Sequence, residues 1–274
     1  MSVDQTSDAA ELQLLTVSLR TAMSGACGAR LDAALTDLGW RDMLDEIPEI
    51  AIPLVFRLLG ETGAHAPVLN DVMLRASGNS AGGITPLPFT GNSWVLWRRD
   101  DTPGSAIDEG LPIHPVAEGD SVFRAGLDLG RQALGWWLVG ASRAMLTLAR
   151  QHALDRTQFG RQISSFQAIR HRLAETLVAI EGAEATLQAA ADHPEDPELA
   201  SLLAKAAAGR AAQTAARHCQ QVLGGIGFTA EHPLHHHVKR SLVLDSLLGS
   251  ARELTGQAGA ALRAKGFAPR LVQL

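Results

Sequence analysis

The second half of the chain carries an almost unbroken helical pattern, from about Val122 to Gly266. Alanine-rich stretches within it, such as Leu202–Ala216, favour helices that pack closely together. The pairs His193-Pro194, Asp196-Pro197 and Gly224-Gly225 interrupt this pattern, because proline and glycine end helices. A chain with this texture has to bury long helices against one another, so we predict helical packing for residues 121–274.

The first 75 residues repeat their leucines at helical intervals, for example Leu12, Leu15 and Leu19. Residues 76–120 differ, because glycine and proline recur there among short β-prone pieces such as Trp94–Trp97. We therefore predict a mainly α fold in three parts. These are an N-terminal helical domain over residues 1–75, a truncated β or irregular segment over residues 76–120, and a C-terminal helical bundle over residues 121–274.

Composition excludes several classes of protein. A formal charge of -5 and a pI near 6.0 supply no overall basic field for nucleic acid. The two cysteines, Cys27 and Cys219, lie far apart, which argues against a disulfide framework or a zinc site. Charge or proline interrupts every long apolar stretch, and no basic residue precedes an apolar run at the N-terminus. We expect a cytoplasmic protein with no membrane span and no export signal.

Arg156 lies just beyond the predicted long helix that begins near Leu127, and Gly160 soon follows. The guanidinium should therefore project from a helix end or turn, where its planar fork of donors suits a diphosphate. An arginine that caps helix carbonyls or pairs with Asp155 explains the same position. Taken alone, this residue leaves both interpretations open.

The segment Gln221-Val222-Leu223-Gly224-Gly225-Ile226-Gly227 follows an alanine-rich helix. Its glycines can expose backbone N–H groups to an anionic ligand. A glycine helix stop accounts for them equally well. This segment also leaves two interpretations open when it is considered by itself.

Three motifs occur in the order and approximate spacing that are typical of one protein family. They are Arg-x-Gln-Phe-Gly at Arg156, Phe-Gln-Ala-Ile at Phe166 and Gln-Val-Leu-Gly-Gly-Ile-Gly-Phe at Gln221. Over Leu127–Leu262, and more weakly over Leu31–Leu74, the chain resembles an acyl-CoA dehydrogenase. The resemblance implies N-terminal helices, a C-terminal four-helix bundle and an FAD held mainly by the neighbouring subunit. By this resemblance the following residues contact the adenosine diphosphate half of a partner's FAD: Arg156, Gln158, Phe159, Gln167, Gln221, Gly224 and Gly225.

The chain departs from the family at its redox centre. A small β-domain needs several strands of about five or six residues, and residues 76–120 hold too many glycines and prolines to supply them. The resemblance places the catalytic carboxylate at one of two positions, which hold Leu248 and Gly130 here. If the chain had a catalytic base, it would have to be Asp245 or Glu253. Both residues are also explained as ordinary charges on a solvated helix face. We therefore predict no catalytic residue in this chain.

His232, His235, His236 and His237 invite comparison with a metal site. Adjacent histidines point in different directions on a helix, and no cysteine or carboxylate pair accompanies them, so we predict no metal. The phrase around them, from Gly224 onward, resembles a subgroup of the family in which many members act on CoA thioesters of steroid side chains. Some enzymes of that subgroup are α2β2 heterotetramers, in which one of the two homologous chains lacks the base.

Three hypotheses follow from these residues. The first is a catalytically silent subunit of an α2β2 complex that completes the FAD site of a full-length homologous chain, with the acyl-CoA bound mainly by that partner. The second is an autonomous homo-oligomeric dehydrogenase with Asp245 or Glu253 as its base. The third is a non-enzymatic helical scaffold that retains the phosphate motifs as packing remnants.

Overall fold

The protein is described here from a computed structural model, which covers residues 3–117, 119, 124–192 and 195–267. Helices dominate these ranges, as the sequence predicts. None of the described helices is long and apolar enough to cross a membrane. His193 and Pro194, predicted as a helix break, lie outside the described residues.

Five helices form the N-terminal part. They are α1 (Val3–Gly25), α2 (Gly28–Asp37), α3 (Trp40–Glu46), α4 (Pro48–Thr62) and α5 (Val68–Ala76). Pro48 starts α4, where its missing N–H costs no hydrogen bond, and Gly63 ends it in the left-handed region at φ 70°. Gly60 lies inside α4.

The middle segment forms a three-stranded antiparallel sheet, in agreement with the predicted small strands. Its strands are β1 (Pro86–Phe89), β2 (Ser93–Trp97) and β3 (Ile113–Val116), in that spatial order. Pairing also extends from β1 to the far C-terminal part of the chain, because the N–H of Leu248 donates to the carbonyl of Pro88 over 2.8 Å. The small sheet is therefore attached to the turn that follows the ninth helix.

Five helices form the C-terminal part of the described chain. They are α6 (Arg124–Asp155), α7 (Gln167–Ala191), α8 (Pro197–Leu223), α9 (Leu234–Ser246) and α10 (Ala251–Lys265). A small hairpin of β4 (Thr157–Gln158) and β5 (Arg161–Gln162) connects α6 to α7. Helix α6 packs against α7, α8 and α9, while α10 packs against α8.

The N-terminal helices and the C-terminal bundle share one apolar core, which runs from Leu19 to Leu248. Helix α4 crosses α6 at very short range. A Cβ atom at Gly60 would lie 2.3 Å from the carbonyl oxygen of Trp137, and one at Gly140 would lie 2.1 Å from that of Arg57. This shared core crosses the boundaries of the predicted three parts, so the division into domains remains a prediction.

Candidate functional site

The hairpin after α6 presents Phe159 at its tip. Phe159 and Gly160 have φ angles of 53° and 74°, the positive values that a tight two-residue hairpin turn requires. A phenylalanine is strained there, and its side chain is 90% exposed. The N–H of Ile163 donates to the carbonyl of Arg156 over 2.9 Å and fixes the base of the hairpin. Gln158 lies on the same exposed hairpin. A strained and exposed aromatic residue is typical of a binding contact.

Arg156 lies one residue beyond α6, as predicted, and its side chain is exposed. The Asp155 carboxylate accepts hydrogen bonds of 2.9 and 3.0 Å from the side-chain amide of Gln151. Within the described part of the chain, no carboxylate lies within ion-pair distance of Arg156. The guanidinium is therefore free for an anion from outside, and pairing with Asp155 does not account for it.

The turn after α8 is open on the side where Gly224 and Gly225 lie. A Cβ atom on either glycine would meet nothing within 4 Å, so internal packing does not require them. Gly224 has φ 65° and ψ -140°, a conformation that belongs almost entirely to glycine. The N–H of Gly224 donates to the carbonyl of Gln220, as at a glycine helix stop, and is therefore not free for an anion. Gln221 is exposed at the end of the helix.

The two motifs meet at the same end of the bundle. One small apolar cluster contains Ala153 from the end of α6, Ile163 beyond the hairpin and Val222 from the end of α8. Gln167, at the start of α7, is exposed there too and lies 3.5 Å from a ring nitrogen of His171. Burial, and secondarily the nearby charge of Arg156, lower the pKa of His152. The fold thus places both predicted nucleotide-facing segments on one exposed surface.

Gly130 and Leu248, the two positions where the resemblance expects a carboxylate, are neighbours in space. A Cβ atom at Gly130 would lie 2.7 Å from Cδ1 of Leu248 and 2.5 Å from Sδ of Met73. Leu248 is 1% exposed and Met73 is 2% exposed. The Leu248 side chain therefore fills the space that a side chain at position 130 would need, and both base positions are apolar.

Hydrogen bonds from two buried side chains to backbone carbonyls hold the turn around Leu248. Leu248 has a positive φ of 55°, which is strained for leucine. The guanidinium Nε of Arg131 donates to the Leu248 carbonyl over 3.3 Å. Nζ of Lys205 donates to the carbonyls of Asp245 over 2.8 Å and of Gly249 over 2.5 Å.

Sequence reasoning missed Lys205. Its side chain is 0% exposed, and burial lowers its pKa to about 7. The sequence did contain a signal for the burial of Lys205. It lies in an alanine-rich stretch three residues after Leu202, which is also buried, and residues three or four apart share a helix face.

Asp245 and Glu253 have structural partners. The Asp245 carboxylate accepts from the N–H of Ala251 over 3.1 Å and from the side-chain amide of Gln213 over 3.2 Å. Glu253 completes a capping box with Ser250 at the start of α10. Hydrogen bonds to Glu253 from the N–H of Gly91, and secondarily from that of Ser250, lower its pKa to about 2.

A depression of about 430 Å³ opens beside Leu248, and Glu253 is the carboxylate that lines it. Efficient general bases have pKa values near the working pH, so the pKa of Glu253 is shifted in the wrong direction for that role.

The histidine group lies at the start of α9. The ring centres of His235 and His236 lie 3.8 Å apart with the ring planes tilted by 39°. Burial, followed by the charge of Arg240, lowers the pKa of His237 to about 4. Within the described ranges, no group of three or more histidine, cysteine or acidic side chains could hold a metal ion.

Comparison with known proteins agrees with this architecture. The profile of the acyl-CoA dehydrogenase C-terminal domain matches residues 117–262. Acyl-CoA dehydrogenase IpdE2 of Mycobacterium tuberculosis is 40% identical over 42% of this chain and 36% of its own length. Acyl-CoA dehydrogenase FadE34 of the same species is 32% identical over 65% of this chain and 27% of its own length. The chain thus matches about a third of the length of these relatives.

Two solved structures share the fold over nearly their whole length. A variant of the Tcur3481–Tcur3483 steroid ACAD aligns with a TM-score of 0.68 and 20% identity, over 94% of this chain and 99% of that one. The ChsE4–ChsE5 complex from Mycobacterium tuberculosis aligns with a TM-score of 0.67 and 20% identity, over 94% and 98%. Since the family profile covers more than half of the residues, this chain belongs to the acyl-CoA dehydrogenase family.

Proposed function

We propose that this chain is a non-catalytic subunit of a heteromeric, FAD-dependent acyl-CoA dehydrogenase, and that it completes the FAD site of a homologous full-length partner chain. The observation that carries the proposal is the contact between Gly130 and Leu248, which leaves both base positions apolar while the nucleotide-facing surface stays open. The names of the ChsE4–ChsE5 and Tcur3481–Tcur3483 structures each join two chains, which supports a heteromer. An α2β2 stoichiometry is part of the proposal.

The residues at the open end of the bundle fit the adenosine diphosphate half of FAD. Arg156 has no described carboxylate partner and can bind phosphate oxygens through two parallel N–H groups. Phe159 would insert into the partner beside the nucleotide, and Gln158, Gln167 and Gln221 are exposed donors on the same surface. Gly224 and Gly225 allow the nucleotide to approach the backbone closely, because neither residue has a Cβ atom.

The chain offers a poorer site for the flavin half of FAD than for the adenosine diphosphate half. Three short strands replace a full β-domain, and the strand β1 pairs with the turn around Leu248. When bound, FAD supplies the acceptor for the hydride that leaves the β-carbon of the thioester. Removal of the α-proton needs a carboxylate, which we assign to the partner, together with most of the acyl-CoA site. A bulky steroid side-chain thioester is the substrate class we propose, because the name of one similar structure includes a steroid ACAD.

The autonomous homo-oligomer receives less support from the geometry. Asp245 and Glu253, its candidate bases, each accept hydrogen bonds that organise the start of α10. It predicts yellow protein when the chain is produced alone with added FAD. Colourless protein would eliminate it.

The test is co-expression with a candidate full-length homologue, followed by Arg156→Ala. A hydrogen bond to a charged group contributes about 1.5–3 kcal/mol, so flavin affinity should fall roughly tenfold to a hundredfold while the complex stays assembled. Arg252→Ala, an exposed arginine on α10, is the matched control and should leave flavin content unchanged. Unchanged flavin content after Arg156→Ala would refute the proposal and favour the scaffold hypothesis.

A further inference from the structure

The hairpin end of the bundle concentrates positive charge in an acidic protein. Residues 150–172 contain five arginines and a single acidic residue, Asp155, whereas the chain as a whole has a formal charge of -5. The function proposed above uses one of these arginines, Arg156. The other four, which are Arg150, Arg161, Arg170 and Arg172, have no role in it.

These four side chains are exposed and carry no ion pair with a described carboxylate. Some other arginines of the bundle form ion pairs, as Arg143 does with Glu181 over 2.9 Å. Two of the four are held in place by other contacts. The guanidinium of Arg161 lies 4.3 Å from the ring centre of Phe166, and Nε of Arg170 donates to the Ser164 carbonyl over 2.9 Å. Because these contacts already restrict the two side chains, binding through their remaining donors costs little further entropy.

An apolar groove lies between two of these arginines. It runs between α6 and α7, measures about 320 Å³, and has Leu146, Ala153 and Leu173 in its walls, with Arg150 and Arg170 beside them. The apolar surface continues along α7. Leu177, which also lines the groove, is 43% exposed, and Val178 next to it is 71% exposed.

We infer that this groove and its arginines form a docking surface for an amphipathic acidic helix of the partner chain. The inference rests on the proposed function and specifies the chemistry of its interface. Carboxylates along such a helix would pair with Arg150 and Arg170, while its apolar ridge covers Leu173, Leu177 and Val178. A bound nucleotide would pair with the arginines but would leave the apolar surface along α7 exposed. A protein segment fits the groove better, because it covers both.

The first test is charge reversal in the co-expressed complex. Arg150→Glu combined with Arg170→Glu should weaken assembly with the partner at least tenfold at low salt, and raising the salt concentration should weaken the unaltered complex in the same direction. Arg252→Glu is the control, because this exposed arginine lies on α10, outside the groove, and its reversal should leave assembly unchanged. Thermal unfolding of the isolated chain should stay the same for Arg252→Glu and should shift only slightly for the double variant, which loses the hydrogen bond from Arg170 to the Ser164 carbonyl.

The second test identifies the opposing carboxylates. Arg150→Lys and Arg170→Lys keep the charge, and a water-soluble carbodiimide then condenses each new amine with a carboxylate in contact with it, while the carbodiimide takes up the water released. Mass spectrometry should find amide links to acidic residues of one partner helix. Arg252→Lys should give no such link.

The outcomes separate the two proposals. If no full-length dehydrogenase chain co-purifies, the proposed function and this docking surface both fail. If the partner binds and charge reversal leaves assembly unchanged, the docking surface alone is wrong. If reversal lowers flavin content without weakening assembly, the arginines belong to the nucleotide site and the helix proposal is refuted.

Discussion

A double-mutant cycle that combines Gly130→Ala with Leu248→Ala can measure the space that these two positions share. The new methyl group at position 130 would lie 2.7 Å from Leu248 and 2.5 Å from Met73, so these side chains would have to shift. Such overpacking costs about 1–3 kcal/mol, and the better helix propensity of alanine returns about 1 kcal/mol. Gly130→Ala alone should therefore lower the free energy of unfolding by up to about 2 kcal/mol.

Leu248→Ala removes a side chain that is 1% exposed, and such deletions cost about 2–5 kcal/mol. In the double variant the methyl group at position 130 fills part of the void left by Leu248, and one of its two clashes disappears. The double variant should therefore be more stable than the sum of the single effects by about 1–2 kcal/mol.

Urea unfolding followed by circular dichroism measures each free energy, provided that the m values agree. Gly182→Ala is the control for position 130. It is a glycine on α7 whose Cβ atom would meet nothing within 4 Å, so its effect should add to that of Leu248→Ala within about 0.5 kcal/mol. Additivity of the Gly130 and Leu248 substitutions within the same limit would refute the claim that these side chains compete for one space.

Two further predictions concern the core. Gly140→Ala should destabilise the fold by about 3 kcal/mol or more, because its methyl group would lie 2.1 Å from a backbone carbonyl of α4 that cannot rotate away. The control Gly182→Ala should instead stabilise α7 by up to about 1 kcal/mol. Equal effects of the two substitutions in urea unfolding would contradict the close crossing of α4 and α6. The pKa of Lys205 is lowered from 10.5 to about 7, so between these pH values the unfolded chain binds a proton that the folded chain does not, and stability should rise with pH by up to about 1.4 kcal/mol per unit. Lys205→Met should lose this slope, and parallel stability curves for the two proteins would show that Lys205 does not titrate in this range.

Local patterns in the sequence predicted the helices, the small strands and the position of Arg156 well, because each depends on neighbouring residues. Helical periodicity depends on contacts three and four residues apart, and turns depend on glycine and proline within a few positions. The same reasoning left open whether the Gly224 N–H binds an anion or ends a helix, and the structure shows this N–H bonded to the Gln220 carbonyl. Sequence reasoning gave no signal for the packing role of Gly60, whose missing side chain allows α4 to cross α6 closely.

The sequence by itself determined the family, the mainly α fold and the chemical character of the residues at the open end of the bundle. Only the tertiary structure decided that positions 130 and 248 are one site, that Glu253 accepts a hydrogen bond from the N–H of Gly91, and that Lys205 lies beneath the turn at Leu248. Those relations join residues that are distant along the chain, and only tertiary packing brings them together. Local propensity therefore contains no signal for them, because their energies arise from burial and contact after folding.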